Sequence, residues 1–279
     1  MSNNIDLAII TALPIERDAV LSHLDNDIYD TEAGYSRGRF DSLDVVVALT
    51  TDMGNIASGN LATKIIERLN PANIIMLGIA AGVPSKVELG DVVVAKFCHY
   101  YELAKLESGN KKQRRTRQYP CSKTLYDNAR NYQVGDWFTA IRVVLPGKQL
   151  SHRPKVHFGP IASGDKVIAD EQSLLRLVEE CPELLAVAME GAGVATAVAD
   201  YEGTRFIEIR GISDFADSNK NDDWQEYAAN AAAAFLFAWV LDGGLPARSL
   251  KSYVKSEASI QQNADKIYNI ERIDNAKFE

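Results

Sequence analysis

The sequence predicts an α/β fold: a three-layer sandwich in which helices cover a mixed, mostly parallel central β-sheet, followed by a short C-terminal tail. Short apolar segments of strand length recur at residues 5–11, 45–50, 74–77 and 206–212. Several of them lead directly into helical segments, an alternation that is typical of parallel sheets. With 279 residues, 46% of them hydrophobic, the chain is long enough for one large domain and an appendage.

The helical segments can be placed in order along the chain. Pro14 stands where the first helix begins, because proline is tolerated in the first turn. A glycine turn precedes an amphipathic helix over residues 56–69, and a serine caps a helix over residues 122–131. Residues 136–143 have a β-like pattern instead. The alanine-rich stretch 224–240 predicts a long last helix from its helix propensity.

The composition excludes several classes of function. The formal net charge of −8 and the pI near 5.2 argue against sequence-independent nucleic-acid binding, which needs a broad basic face. No apolar run reaches membrane length, and three scattered cysteines suit reduced thiols better than a disulfide framework. We therefore expect a cytoplasmic protein with neither a nucleic-acid nor a membrane partner. Four isolated histidines and the lack of a Cys-x-x-Cys motif predict no metal site.

Two acidic residues stand where predicted strands end. Glu190 follows the apolar segment 186–189 and opens a helix of small residues, and Asp214 follows the segment 206–212. Parallel sheets place ligand groups at the carboxyl ends of their strands, so these acids are candidates for one site. Two structural roles stay open. Glu190 could stabilise the N-terminus of its helix, and Asp214 could cap a turn.

The segments around these acids resemble motifs of the nucleoside phosphorylase and nucleosidase superfamily. Ala188-Met-Glu-Gly-Ala192 is similar to its ribose-binding motif, and Arg210-Gly-Ile-Ser-Asp-Phe-Ala-Asp217 to its base-protonating motif. Within the superfamily, the methylthioadenosine/S-adenosylhomocysteine nucleosidases are the most similar group. The resemblance covers residues 5–242 and implies a catalytic domain over residues 1–244, with the three-layer phosphorylase/hydrolase-like architecture.

The resemblance implies a role for each residue of these two motifs. Glu190 would bind the ribose hydroxyls and stabilise the ribosyl cation, while Met189 packs on the sugar. Asp214, oriented by Ser213, would deliver a proton to N7 of the departing purine, which requires its carboxyl group to hold that proton near neutral pH. Arg210 would help to position the attacking water.

Glu16 is the third candidate acid. It lies near a strand-to-helix junction, four residues after Ala12, and family nucleosidases carry at this interval a glutamate that holds the attacking water. The alternative is that Glu16 is a first-turn acid on the exposed face of its helix.

The glycine-rich segment after the strand at residues 74–77 bears on the choice of nucleophile. In family members this segment lies under the ribose, and phosphate-dependent members commonly carry a hydroxyl there. Here the positions following Gly78 are Ile79, Ala80 and Ala81, without hydroxyl or charge. Because an apolar lining solvates a phosphate dianion badly, the sequence favours water as the nucleophile.

The segment that covers the purine also departs from the family pattern. Family nucleosidases usually place a phenylalanine against the base, where this chain has Val167. The backbone at Ile168 would still read the edge of the purine. Since base–aromatic stacking contributes roughly 1–3 kcal/mol, the base is held more loosely unless another ring replaces it.

A basic cluster interrupts this acidic chain within residues 99–119. Its arginines, Arg114, Arg115 and Arg117, could bind substrate phosphates, because guanidinium groups match phosphate oxygens. A solvated loop is the slightly favoured alternative, since most short charge runs are solvated.

The last part of the chain, residues 245–279, is predicted to be a linker and an assembly or partner-binding motif. Asn263, Asn269 and Asn275 recur at intervals of six, which would place them on one strand face, and asparagine ladders occur in cross-β assemblies. An amphipathic helix or an unstructured end is the alternative. Residues 260–278 are similar to short motifs appended to bacterial and fungal immune effectors.

Taken together, these features predict an N-glycosidase that hydrolyses a purine nucleoside or nucleotide, with adenine as the expected base. The basic cluster and the tail suggest ATP as the substrate and an antiphage or immune role. We expect no metal or organic cofactor, and a homo-oligomer in which a neighbour completes each site. The alternatives are a phosphate-dependent purine nucleoside phosphorylase and a nucleotide-binding sensor that signals through assembly of its tail.

Overall fold

A computed structural model describes eight stretches of the chain. They are residues 5–30, 34–106, 112–114, 116–132, 135–146, 153–168, 170–216 and 222–246.

Strands and helices alternate through these residues. In chain order they are β1 (Leu7–Thr11), α1 (Pro14–Leu21), β2 (Asp25–Asp30), β3 (Tyr35–Phe40), β4 (Leu43–Leu49), α2 (Asn55–Leu69), β5 (Asn73–Gly82), β6 (Val92–Tyr100), β7 (Ala104–Leu106), β8 (Lys112–Arg114), β9 (Arg117–Pro120), α3 (Lys123–Asn131), β10 (Val156–Ser163), α4 (Glu171–Glu180), β11 (Ala186–Ala188), α5 (Gly191–Ala199), β12 (Arg205–Asp214) and α6 (Gln225–Leu241). A 3₁₀ turn, Trp137–Ala140, lies between α3 and β10.

One large mixed sheet forms the centre of the fold, as the sequence predicts. Its strands follow the order β11-β10-β6-β12-β5-β1-β4-β3-β2, and β9 pairs with β6. The long pairings of β5 with β12 and of β6 with β10 are parallel, whereas β12 and β6 are antiparallel. Because β11 pairs with β5 as well as with β10, the five strands β5, β12, β6, β10 and β11 close on themselves.

The central strands are apolar along their length because helices cover both faces of the sheet. All residues of β1 are buried, and β12 is buried from Phe206 onward. Alternate residues of β12 show the two sides: Gly211 lies against the backbone of Ala228 in α6, and Glu208 lies against Gly191 in α5. This is the predicted three-layer arrangement, and a strand buried on both faces reads as a nearly continuous hydrophobic run.

The predicted helices are present, but one predicted strand is not. Residues 136–143 have a β-like pattern, whereas Trp137–Ala140 forms a 3₁₀ turn. The reason is packing: the ring of Trp137 lies 5.7 Å from that of Phe235 in α6, in an edge-to-face arrangement. This aromatic contact overrides the local propensity, which is only a weak guide for strands.

The tail lies outside the described residues, which end at Pro246. The boundary at residue 244 and the assembly motif at residues 260–278 therefore stay predictions. Within the described part of the chain, no helix has the length and apolar character needed to cross a bilayer.

Candidate functional site

A cavity of about 330 Å³ lies at the ends of β1, β5, β11 and β12. Cavities of this size are sufficient for a small organic ligand. Among the residues predicted from the sequence, those that line it are Glu16, Ile79, Ala80, Val167, Ile168, Met189, Glu190, Arg210, Ser213 and Asp214. Residues that are far apart in the chain therefore meet at one place, where the strands end.

Glu16 is buried beneath the cavity, with 1% of its surface exposed. Its Oε2 accepts hydrogen bonds from the backbone N–H groups of Ala12 (2.8 Å) and Leu13 (2.9 Å), and its Oε1 accepts one from Ile79 (2.8 Å). Glu16 is thus not the exposed first-turn acid of the alternative interpretation. The bonds to Ala12 and Leu13 fix the turn that connects β1 to α1, while the bond to Ile79 joins this turn to β5.

The protonation of Glu16 is shifted by its surroundings. Burial raises the pKa of its carboxyl group, and the negative charge of Glu190 raises it further. Arg210 and the backbone N–H groups of Ile79 and Ala12 act in the opposite direction without cancelling the shift, so the pKa stays above the ordinary glutamate value.

Glu190 lies at the junction of β11 and α5 and is also buried. Its Oε2 accepts hydrogen bonds from Arg210 Nη2 (2.9 Å) and from the backbone of Met189 (3.3 Å), and its Oε1 accepts one from Gly54 (3.4 Å). The side chain makes no capping hydrogen bond to its own helix. Stabilising the N-terminus of α5 through such a bond is therefore not what this carboxylate does.

Arg210 holds the centre of the site together. It is 1% exposed, and its Nε donates to Glu208 (2.8 Å), its Nη2 to Glu190 (2.9 Å) and its Nη1 to the carbonyl oxygen of Ile79 (3.3 Å). Burial acts to lower the pKa of this guanidinium, but the carboxylates of Glu208, Glu190 and Glu16 outweigh it and hold the pKa above its usual range. Arg210 is therefore a permanent positive charge among three acids.

Glu208 is a residue of this cluster that the sequence analysis missed. It is completely buried in β12, and its second carboxylate oxygen accepts a hydrogen bond from the thiol of Cys98 (3.2 Å). The available signal was a charged residue between the apolar residues Ile207 and Ile209, two positions before an arginine. Residues at this interval share one face of a strand.

Asp214 is buried at the end of β12, where the register with β5 shifts between Ile212 and Asp214. Its Oδ2 accepts a hydrogen bond from Ser213 Oγ (3.0 Å), and its Oδ1 accepts one from the backbone N–H of Ala216 (2.9 Å). The second bond is the turn-capping contact of the alternative interpretation. Asp214 thus caps a turn and also lines the cavity.

The side of the cavity predicted to hold a base carries mainly apolar residues. Val167 is 54% exposed, Ile168 is partly buried, and Met53 lines the cavity from the loop after β4. Lys166 contributes the exposed cation of this side, and its ammonium group is paired with Glu102.

The segment of residues 78–82 differs from the predicted glycine elbow. It continues β5 as a regular strand to Gly82. Gly78 is not among the described residues that line the cavity, but a Cβ there would lie 2.3 Å from Glu16 Oε1 and 2.7 Å from Arg210 Nη1. The glycine is needed because the acid and the arginine approach the strand backbone this closely.

The basic cluster contributes nothing to this cavity within the described residues. Arg117 is exposed in β9, opposite Tyr100 of β6, and does not line the cavity. The backbone of Arg114 belongs to β8, while the Arg114 side chain and the whole of Arg115 lie outside the described residues. Phosphate binding by these arginines therefore stays a prediction.

The sequence also gave no indication of two polar residues at the cavity. Asp222 and Gln225 line it from the start of α6 and are hydrogen-bonded to each other. Neither residue stands at the end of a predicted strand or within one of the two recognised motifs, so the sequence analysis did not point to them. Among the described residues, no group of histidine, cysteine and acidic side chains could hold a metal ion.

Fold and site together define an α/β protein in which buried acidic side chains line an open cavity at the ends of its sheet strands. Comparison with known proteins assigns it further: a profile of the Phosphorylase superfamily matches residues 6–240. The chain belongs to this superfamily.

Three similar proteins illustrate the range of the family. The chain is 28% identical over 214 residues to the "ATP nucleosidase Cap17" of Escherichia coli (strain KTE188), a match that covers 72% of this chain and 42% of that protein. It is 27% identical over 221 residues to a 5'-methylthioadenosine/S-adenosylhomocysteine nucleosidase of Colwellia psychrerythraea (strain 34H / ATCC BAA-681), covering 77% and 86%. The crystal structure of the Neisseria meningitidis 5'-methylthioadenosine/S-adenosylhomocysteine nucleosidase, in complex with methylthio-immucillin-A, superposes with a TM-score of 0.69 at 22% identity, covering 85% and 99%.

These figures have different weight. The structural match establishes a shared fold. The match to Cap17 spans less than half of that protein's length.

Proposed function

We propose that this chain is an N-glycosidase that hydrolyses the bond between a purine base and ribose in a nucleoside or nucleotide. The observation that carries the proposal is the meeting of Glu16, Glu190 and Asp214 around one cavity of about 330 Å³. All three carboxyl groups are buried, and relatives of the chain are named as nucleosidases.

Asp214 is the proposed general acid. Departure of the base is easier when the base is protonated, and a carboxyl group in hydrogen-bonding reach of N7 can supply that proton. Ser213 Oγ donates to Asp214 Oδ2, and the N–H of Ala216 donates to Oδ1. These two contacts hold the carboxyl plane in one orientation at the wall of the cavity.

Glu190 is proposed to stabilise the sugar as it becomes cationic. Loss of the base leaves a ribosyl cation with oxocarbenium character, and a buried carboxylate nearby favours such a charge more strongly than one in water. Arg210 and Gly54 fix both oxygens of Glu190. Met189, the preceding residue, lines the same wall and would pack on the sugar.

Glu16 is proposed to hold the attacking water. A carboxylate can accept about four hydrogen bonds, and the three described here place two on Oε2 and one on Oε1. Oε1 therefore keeps a position that a water molecule can occupy. An ionised Glu16 would orient that water and take up its proton as it attacks the sugar.

The charge of the cavity favours water over phosphate as the nucleophile. Its described lining contains the acids Glu16, Glu190, Asp214 and Asp222, against the cations Arg210 and Lys166. Both cations are already paired, Arg210 with Glu190 and Glu208 and Lys166 with Glu102. A phosphate dianion would therefore enter a site that is already negative.

Adenine is the proposed base, and adenine nucleotides such as ATP are included among the substrates. The name of the Cap17 relative supports ATP, and that of the Colwellia relative supports a thioether nucleoside. Homo-oligomerisation, the defence role and assembly through residues 260–278 remain predictions of the sequence.

A substrate panel tests the proposal. Purified protein is incubated with ATP, AMP, adenosine and methylthioadenosine, each with and without inorganic phosphate, and free adenine is measured by chromatography. We expect adenine release from at least one of them at a rate that does not depend on phosphate. Ribose 1-phosphate formed only when phosphate is present would establish the phosphorylase alternative, and no base release from any of the four would overturn the proposal.

A further inference from the structure

The buried acid Glu208 has no place in the mechanism proposed above, although it touches the centre of the site. We infer that Glu208 is a positioning residue that neutralises Arg210 and so leaves the negative charge of Glu190 for the ribosyl cation. The inference rests on the proposed hydrolysis and adds to it the residue that sets the charge beneath the sugar.

The geometry of Arg210 supports this division of roles. Its guanidinium donates a hydrogen bond to Glu208 from Nε (2.8 Å) and to Glu190 from the neighbouring Nη2 (2.9 Å). Only Glu190 and Arg210 of these three line the cavity. Glu208 is thus the carboxylate partner of Arg210 that does not reach the cavity, and Glu190 is the partner that does.

The formal charges give the electrostatic consequence. Glu208, Arg210 and Glu190 together carry a net charge of −1 when all three are ionised, and without Glu208 the pair that remains is neutral. A reaction that develops positive charge on the sugar is favoured by the first arrangement. The side chains of Glu208 and Arg210 are 0% and 1% exposed, so water screens their charges little.

The surroundings of Glu208 make room for its carboxyl group. Cys98 donates its thiol hydrogen to Oε2 at 3.2 Å. Gly191, the residue after Glu190, leaves room for the same oxygen, because a Cβ at this position would lie 2.1 Å from it. The carboxylate of Glu208 therefore packs directly against the backbone that carries Glu190.

A purely structural role explains this arrangement poorly. Arg210 already has a carboxylate partner in Glu190, and removing a second carboxylate from water costs several kcal/mol that its pairing need not restore. An apolar side chain in β12 would avoid that cost, as its neighbours Ile207 and Ile209 do. A buried charge kept at such a place points to a role in the chemistry.

The test uses Glu208→Gln in the full chain. Glutamine keeps the shape of the side chain and an oxygen for Arg210 Nε, but removes the charge. We expect kcat for the best substrate of the panel to fall about tenfold. KM for the same substrate should stay within about twofold of the wild-type value, because the ground state carries no positive charge on the sugar. Glu202→Gln, which removes a charge from an exposed loop before β12, serves as the matched control and leaves both constants unchanged.

A binding measurement separates the charge effect from the proposed reaction. Calorimetry measures the binding affinity of two ligands. One is a purine nucleoside analogue in which a cationic aza-sugar replaces the ribose, and the other is the neutral nucleoside of the same base. We expect Glu208→Gln to weaken the cationic ligand about tenfold more than the neutral one. If wild-type protein releases no base, the proposed function fails, while this ratio still decides the role of Glu208.

Two results would overturn the inference. The first is an unchanged kcat and an unchanged preference for the cationic ligand in folded Glu208→Gln. If that variant does not fold, Glu208→Asp is compared instead, because it keeps the charge but shortens the contact with Arg210. We expect the preference of Glu208→Asp for the cationic over the neutral ligand to stay within about threefold of the wild-type preference. Loss of this preference in Glu208→Asp would be the second contradicting result.

Discussion

Asp91 and Glu16 are both buried acids, but their surroundings shift the pKa of the two carboxyl groups in opposite directions. Asp91, at the start of β6, accepts hydrogen bonds from the backbone of Lys155 (2.8 Å) and Glu88 (3.0 Å), and its Oδ2 lies 2.7 Å from His157 Nε2. Burial acts to raise the pKa of Asp91, but the contacts with His157, Lys155 and Glu88 outweigh it and hold the pKa below its usual value. Asp91 is therefore a fixed carboxylate that joins the starts of β6 and β10.

Glu16 shows the opposite balance. It accepts hydrogen bonds from three backbone N–H groups, yet burial and the neighbouring Glu190 keep its pKa raised, and its carboxyl group lines the cavity. A buried acid therefore does not by itself mark a functional site. A raised pKa together with an open cavity is the combination that indicates chemistry.

The largest effect should come from Asp214→Asn. The amide keeps the shape of the side chain but cannot give a carboxyl proton to the base, so we expect base release to slow about 10³-fold. Chromatography of free adenine measures the rate, and a thermal melt checks the fold. Because the role of Asp214 is catalytic in this account, the melting temperature should stay within about 3 °C of the wild-type value. If Asp214→Asn loses enough stability to explain the lost activity, Asp214 would be a structural acid like Asp91 and not the general acid.

Glu16→Gln is expected to lower kcat/KM about 100-fold and to change its pH dependence. In the wild-type protein, Glu16 must lose its proton before it can take one from water, so activity rises with pH through the raised pKa of Glu16. The acid limb of kcat/KM should therefore lie above pH 4.5, the ordinary value for this group, and it should be absent in the variant. An acid limb that persists unchanged in Glu16→Gln would assign it to another group.

Asp91→Asn should affect stability rather than chemistry. Loss of the carboxylate disrupts the contacts with His157 and two backbone N–H groups, and we expect the free energy of unfolding to fall by about 3 kcal/mol. Because the folded pKa of Asp91 lies below 3.8, this contribution is fully present above that pH. It is lost as the pH falls through the lower folded value.

Urea unfolding of both proteins between pH 3 and pH 6 measures this difference, and the activity of the folded variant should match that of the wild type. An equal free energy of unfolding, or a variant that is stable but inactive, would show that the two acids do not differ as described.

The smallest effect concerns the base side of the cavity. Val167→Phe would supply the ring that family nucleosidases usually have, and base–aromatic stacking predicts a KM about fivefold lower for an adenine nucleoside. Val144→Phe, at a position that is 91% exposed, is the control for a general effect of the ring. A KM that does not change would indicate that the base is held elsewhere.

Much of the fold follows from local patterns in the sequence. Strands such as β1 and β5 are largely buried on both faces and read as apolar runs, and α6 is so rich in alanine that only a helix fits. The 3₁₀ turn at Trp137–Ala140 could not be predicted, because its conformation depends on a ring contact with Phe235, almost a hundred positions further along the chain.

The candidate site was predictable only where a motif marked it. Glu190 and Asp214 stand at strand ends within recognisable segments, and the structure brings both to the cavity together with Glu16. Glu208 stands inside a strand, and the sequence of a strand does not reveal which residues of other elements contact a given side chain. Its partner Cys98 lies in β6 and the glycine that accommodates it in α5, and such contacts appear only after the chain has folded.

The origin of the oxygen in the sugar product distinguishes attack by water from attack by phosphate. The reaction is run in H₂¹⁸O with inorganic phosphate present, using the substrate of the panel that is cleaved fastest, and the products are examined by mass spectrometry. The account predicts free adenine and a ribose product that carries one ¹⁸O at C1, with no ribose 1-phosphate. An unlabelled ribose 1-phosphate as the first product would contradict the claim that three buried carboxylates direct water to the sugar.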